Sequence, residues 1–136
     1  MTTYKYFRYF QPNPDKVKEK DDCVIRALCA ATGKTWEQVF DELVILARKN
    51  HDVIESIDIV LEYLEKQNFT LCKVNVKKGK KRPTMQKIIR ENPGYTLVGQ
   101  CANHVMAAKG GLVMDLWDSS DRPLYRYWMK PEKQGG

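Results

Sequence analysis

Apolar residues recur at helical spacing from about residue 22 to residue 67, and the pattern then changes to short runs rich in β-branched and aromatic residues. A chain that spends its helices first and its strands afterwards predicts an α+β fold instead of alternating βαβ units. The 136 residues leave room for one domain, 1–136, because domains commonly run to roughly 100–200 residues. N-terminal helices packed on a C-terminal antiparallel sheet are the expected architecture.

Local signals mark the elements. The aromatic stretch Tyr4, Tyr6, Phe7, Tyr9 and Phe10 runs into the turn-forming Pro12-Asn13-Pro14. Asp21 or Asp22 can cap a helix reaching about Thr32 and stopped by Gly33, which puts Cys23 in its first turn. Thr35 and Gln38 form a capping-box pattern before the apolar face Val39, Phe40, Leu43 and Ala47. A third helix, about 54–67, carries Ile57, Val60, Leu61 and Leu64. Residues 69–76 then read as a strand, Thr84 caps a short helix with Met85, Ile88 and Ile89, and Pro93-Gly94 ends it. A strand is predicted at 95–102, a hairpin at 104–117 about the Lys109-Gly110-Gly111 turn, and a last strand at 124–129. Residues 130–136 are expected to form a flexible tail.

Hydrophobic residues make up 43% of the chain and charged residues 29%, which excludes disordered, collagenous and coiled-coil classes. No run approaches the roughly 20 apolar residues of a membrane span, and the N-terminus lacks a signal h-region. A cytoplasmic protein without membrane contact is therefore expected. Cys23, Cys29, Cys72 and Cys101 are too few and too scattered for a disulfide framework. There is no C-x-x-C pair and His51 lies far from His104, so neither a metal nor an organic cofactor is expected.

Charge is concentrated. The net is +6, yet residues 73–90 hold eight Lys or Arg and no acid. Within that stretch Lys77, Lys78, Lys80, Lys81 and Arg82 surround Gly79 and precede Pro83, the pattern of a solvated loop. Such a loop either keeps the surface soluble or forms a basic patch with weak contacts to nucleic acid or an acidic partner. It lacks the interleaved aromatics of a single-strand reader.

Three residues can carry chemistry if the elements pack as read. A thiol at a helix start meets unpaired backbone N–H groups and the positive end of the helix dipole, which stabilise the nucleophilic thiolate of Cys23. The same amides can receive the oxyanion formed on carbonyl attack. His104, opening a strand, would pair with the thiol and needs an acid to fix its tautomer. A two-residue turn at Lys109-Gly110 places Asp115 directly opposite His104; a turn at Gly110-Gly111 places Trp117 there and makes Asp118 the competitor. Taken singly, each has a plainer explanation. A free cysteine is most often a small buried hydrophobe, a flanked histidine can be a core residue, and either aspartate can cap a turn. Cys29, Cys72 and Cys101 are expected in the core, and His51 in a helix connection without an acid.

The run DDCVIRALCAATG, the helices after it and NHVMAAKGGLVMDLWDSS together resemble the papain-like fold in its compact form. The likeness is to the bacteriocin-processing peptidases that cleave double-glycine leaders, and to small uncharacterised phage and prophage proteins of similar layout. It spans about residues 11–120. It implies Cys23 as nucleophile, His104 as general base and acid, and Asp115 as orienting residue, acting on a protein or peptide substrate without a cofactor. Cys23 and His104 are 81 residues apart, and His104 and Asp115 are 11 apart. Those peptidases carry a Gln six residues before the nucleophile as an oxyanion donor, and a glycine after it; this chain has Val17 and Val24. Gln11 or Asn13 could supply a donor from a loop.

The expected function is thus cysteine-dependent acyl transfer by a small protease or isopeptidase. The alternative keeps the papain-like fold without the chemistry: a phage or host interaction factor contacting nucleic acid or an acidic partner through residues 77–82.

Overall fold

The computed structural model describes residues 5–16 and 21–132; Tyr4, Val17 and the tail from 133 lie outside them. In chain order the elements are β1 (Phe7–Tyr9), α1 (Cys23–Thr32), α2 (Trp36–Asn50), α3 (Ile57–Lys66), β2 (Thr70–Lys73), α4 (Met85–Glu91), β3 (Tyr95–Cys101), β4 (His104–Lys109), β5 (Leu112–Asp115) and β6 (Arg126–Pro131). The architecture is α+β, and the six strands form one sheet in the order β1-β5-β4-β3-β6-β2.

The helices begin where the local chemistry directs. Thr35 and Gln38 close the capping box of α2, and the Thr84 hydroxyl accepts the Lys87 N–H of α4. Gly33 ends α1 in the left-handed conformation, at φ 76°. Ser56, not residue 54, caps α3.

The central strands are apolar on both sides because both faces of the sheet are covered. Val98, Val105, Ala107 and Trp128 pack with α1, α2 and α3. The alternate residues Leu97, Met106, Ala108 and Val113 pack with Met85, Ile88 and Ile89 of α4 and with Leu124. Eight consecutive residues of α1, Val24 to Ala31, are buried, and the helix packs chiefly on β4.

The sheet is mixed, which corrects the expected antiparallel one. β1 runs parallel to β5, with Phe7 beside Val113 and Tyr9 beside Asp115. The aromatic N-terminal segment completes the otherwise unpaired edge of β5, and the Phe10 N–H extends the pairing to the Asp115 carbonyl at 2.9 Å. The strand predicted over 69–76 shortens to Thr70–Lys73, and the last strand shifts to Arg126–Pro131. Residues 130–132 are thus no tail: Lys130 and Pro131 belong to β6, and the Glu132 carboxylate accepts the Gly110 N–H at 2.7 Å, while 133–136 lie outside the described residues.

The hairpin turn centres on Gly110-Gly111, not on Lys109-Gly110, with Lys109 paired to Leu112. Both central residues take positive φ, 61° and 80°, the two-residue geometry that glycine adopts without strain and lysine does not.

Gly99 on β3 is fixed by packing. A Cβ there would lie 3.0 Å from Leu124 Cδ2 and from Met85 Sδ, and 3.1 Å from Met106 Sδ. Gly99→Val is expected to cost about 1–3 kcal/mol, read from the midpoint of urea unfolding. Gly99→Ala should cost less, because the atoms it meets are the ends of flexible side chains.

Candidate active site

Cys23 is the first residue of α1 and is only half-buried, unlike the residues that follow it. Asp22 occupies the cap position, yet its carboxylate makes no cap hydrogen bond. It turns instead to the Asn13 amide at 3.1 Å, the Trp36 indole N–H at 3.0 Å and the Arg26 guanidinium at 3.2 Å. Among the described residues no side chain thus caps the first turn of α1 beside the thiol.

His104 opens β4 immediately after the two-residue turn Ala102-Asn103, whose second position has φ 55°, a conformation asparagine tolerates. Its Nε2 lies 2.7 Å from Asp115 Oδ2. An ionised carboxylate only accepts, so Nε2 carries the proton and Nδ1 is left for Cys23, to which His104 is hydrogen-bonded. The sequence-predicted Cys23, His104 and Asp115 therefore meet.

Asp115 reaches His104 by a different route from the one expected. With Lys109 beside Leu112, the register carried outward sets Trp117 across from His104, and their rings lie 5.0 Å apart. Moving a turn by one residue moves every cross-strand partner by two, so Asp115 becomes the diagonal neighbour on the same side. Asp118 falls on the other parity and is no competitor: its carboxylate accepts the Ser120 N–H and hydroxyl.

Asp115 is 1% exposed and fully engaged. Besides His104, it accepts from Ser119 Oγ at 2.7 Å, the Leu116 N–H at 2.8 Å and Arg26 Nε at 3.2 Å. Burial alone would raise the Asp115 carboxyl, but the bonds from His104, Ser119 and Leu116, with the His104 charge, hold it below its ordinary value.

The same contest runs at the other two groups. Burial disfavours a charged His104, but the bonds and charges of Asp115 and Cys23 outweigh it and raise the imidazole to about 9. Burial opposes a Cys23 thiolate, but the His104 bond, the Val105 N–H and the charges of His104 and Arg26 bring the thiol below its ordinary 9.0. Burial pushes the Cys29 thiol up to about 12, and raises Cys101 as well. Of these three thiols only Cys23 has partners that reverse the effect of burial, and the resting state this favours is a thiolate–imidazolium pair.

Arg26 and Ser119 were missed from the sequence. For Arg26 a signal existed: a lone cation inside the apolar run CVIRALCAA, four residues after Asp22, has to find an acid when the helix is buried. Ser119 left none. Of the loop residues, Asn13 spends its amide on Asp22, whereas the buried Nε2 of Gln11 has no partner among the described residues. Cys29 and Cys101 are core residues as expected; Cys72 is only partly buried, on edge strand β2. His51 ends α2 and pairs with no acid among the described residues. No group of three or more metal-ligating side chains occurs among those residues, and none of their helices is long and apolar enough to cross a membrane.

Comparison with known proteins gives no match to a protein-family model, a curated protein or a solved structure.

Two outcomes follow from this geometry. Alkylation of Cys23 by iodoacetamide, mapped by mass spectrometry, should have its rising limb below pH 9, the ordinary thiol value, while Cys29 and Cys101 stay unlabelled. In His104→Ala that limb should move up, because burial is then opposed only by Val105 and Arg26. Arg26→Met, which strands two buried carboxylates, should cost about 3–5 kcal/mol in urea unfolding; an unchanged midpoint would show the pair to be dispensable.

Proposed function

We propose that this protein is a papain-like cysteine-dependent acyl-transfer enzyme, a small protease or isopeptidase acting on protein substrates. The observation that carries the reading is the convergence of Cys23, His104 and Asp115: the imidazole is bonded to the acid at 2.7 Å and draws the helix-start thiol toward thiolate. The order of its parts supports the papain-like assignment: nucleophile on the first buried helix, histidine opening one strand, acid ending the next.

The Cys23 thiolate attacks the carbonyl carbon, forming a C–S bond while the carbonyl electron pair moves to oxygen. First-turn amides of α1 hold that oxyanion, and Gln11 Nε2 supplies the side-chain donor. Two contacts support Gln11 in this role. It follows Phe10, which is bonded to the Asp115 carbonyl, and its Oε1 accepts the Asn13 N–H in the loop that grips Asp22. The imidazolium Nδ1–H protonates the leaving nitrogen as its C–N bond breaks. Water, deprotonated by the neutral imidazole, then cleaves the thioester and returns the thiolate. Asp115 keeps the ring in the tautomer both steps need.

Cys23→Ala and His104→Ala should each abolish turnover of a casein or peptide-library substrate and labelling by a thiol-directed acyl probe. Gln11→Ala should lower kcat by roughly 10²–10³-fold while iodoacetamide still labels Cys23, since the oxyanion donor acts after the thiolate forms. Probe labelling at Cys72 or Cys101 with Cys23 inert would defeat the assignment.

A further inference from the structure

The basic loop and the candidate site belong to one surface. Residues 82–86 are fastened to the segment that follows β5. Thr84 bridges Pro123, the Leu124 N–H donates to the Pro83 carbonyl at 2.9 Å, and the Gln86 N–H donates to the Ser120 carbonyl at 2.9 Å. That segment begins with Trp117, whose ring lies 5.0 Å from the His104 ring. The Arg122 guanidinium sits 5.0 Å over Trp117, and the Arg82 guanidinium 4.9 Å over Tyr125. Lys81, Lys80, Lys78 and Lys77 precede Arg82 in the same loop, all exposed.

These six cations are unneutralised: among the described residues none forms an ion pair with a carboxylate. In the facing segment 117–125, Asp118 is taken by Ser120, which leaves Asp121 as its one exposed acid.

We propose that this wall is the substrate-docking surface of the thiol site, and that it selects protein segments carrying clustered carboxylates beside the bond attacked. The inference rests on the acyl-transfer reading above. A row of unpaired cations leading away from the reacting imidazole attracts anionic chain and orients it along the wall. Two observations favour acidic polypeptide over nucleic acid. A thiolate that attacks carbonyls finds them along a polypeptide and not along a phosphodiester backbone. The aromatic rings beside the wall, Trp117 and Tyr125, each have a face engaged by a guanidinium, which leaves them poor platforms for stacking successive bases.

The experiment uses the whole chain carrying Cys23→Ala, so that binding is read without turnover. Fluorescence anisotropy with a short glutamate-rich peptide, a serine-glycine peptide of equal length and a short single-stranded oligonucleotide gives three affinities at low salt. The acidic peptide should bind tightest and weaken steeply as salt rises. Lys80→Gln, Lys81→Gln, Arg82→Gln and Arg122→Gln combined should weaken it roughly tenfold or more. Lys80→Gln with Lys81→Gln alone, which removes no ring contact, should give a smaller loss in the same direction. In the unsubstituted protein the acidic peptide should slow iodoacetamide labelling of Cys23, and the neutral peptide should not. Equal binding of both peptides, or tighter binding of the oligonucleotide, would overturn the proposal. Salt-sensitive acidic binding beside a Cys23 that no acyl probe labels would instead leave the docking surface standing and remove the acyl-transfer chemistry.

Discussion

The site depends on one buried cation. Arg26, 5% exposed, stands between Asp22 at the start of its own helix and Asp115 at the end of β5. Those carboxylates come from elements that meet only in the folded chain, and each would be costly to bury alone. By bridging them, the guanidinium fixes α1 against β5, and with it the distance between the thiol of one element and the acid behind the imidazole of the other. Charges then alternate through the molecule: Asp22, Arg26, Asp115, His104, Cys23.

That alternation explains why burial does not quench the thiol. Desolvation is the largest single influence at Cys23, His104 and Asp115, and in each case it opposes the charged form. Partners within hydrogen-bonding distance reverse it at all three. At Cys29, six residues along the same helix, desolvation acts without such partners and nearby acids add to it. Two thiols on one helix thus differ in reactivity because of what the sheet brings to them.

Edge strand β1 ties this centre to the N-terminal loop. Pairing with β5 carries the chain past Asp115, so Asn13 arrives beside Asp22 at the start of α1, with Gln11 bonded to the Asn13 N–H. The segment after β5, which begins beside His104 at Trp117, fastens the end of the basic loop through Pro123 and Leu124. Two stretches that look unconnected in the sequence, an asparagine-proline turn and the end of the basic loop, are therefore tied to the two segments that adjoin the site, the loop before α1 and the segment after β5.

The sequence by itself determined the four helices, the caps Thr35 and Thr84, and three residues fit for thiol chemistry, because these follow from hydrophobic period, local hydrogen bonding and residue type. Asp115 was legible for a sound reason and an unsound one: the residue is right, the register used to reach it is not. Side-chain parity survives a one-residue error in the turn, and direct opposition does not. The parallel β1, the buried Arg26 bridge, the Ser119 bond and the fastening of residues 82–86 to the segment after β5 were decided only by tertiary structure. Each joins residues far apart in the chain, and which partner a strand edge or a buried charge finds depends on the packing of the whole fold.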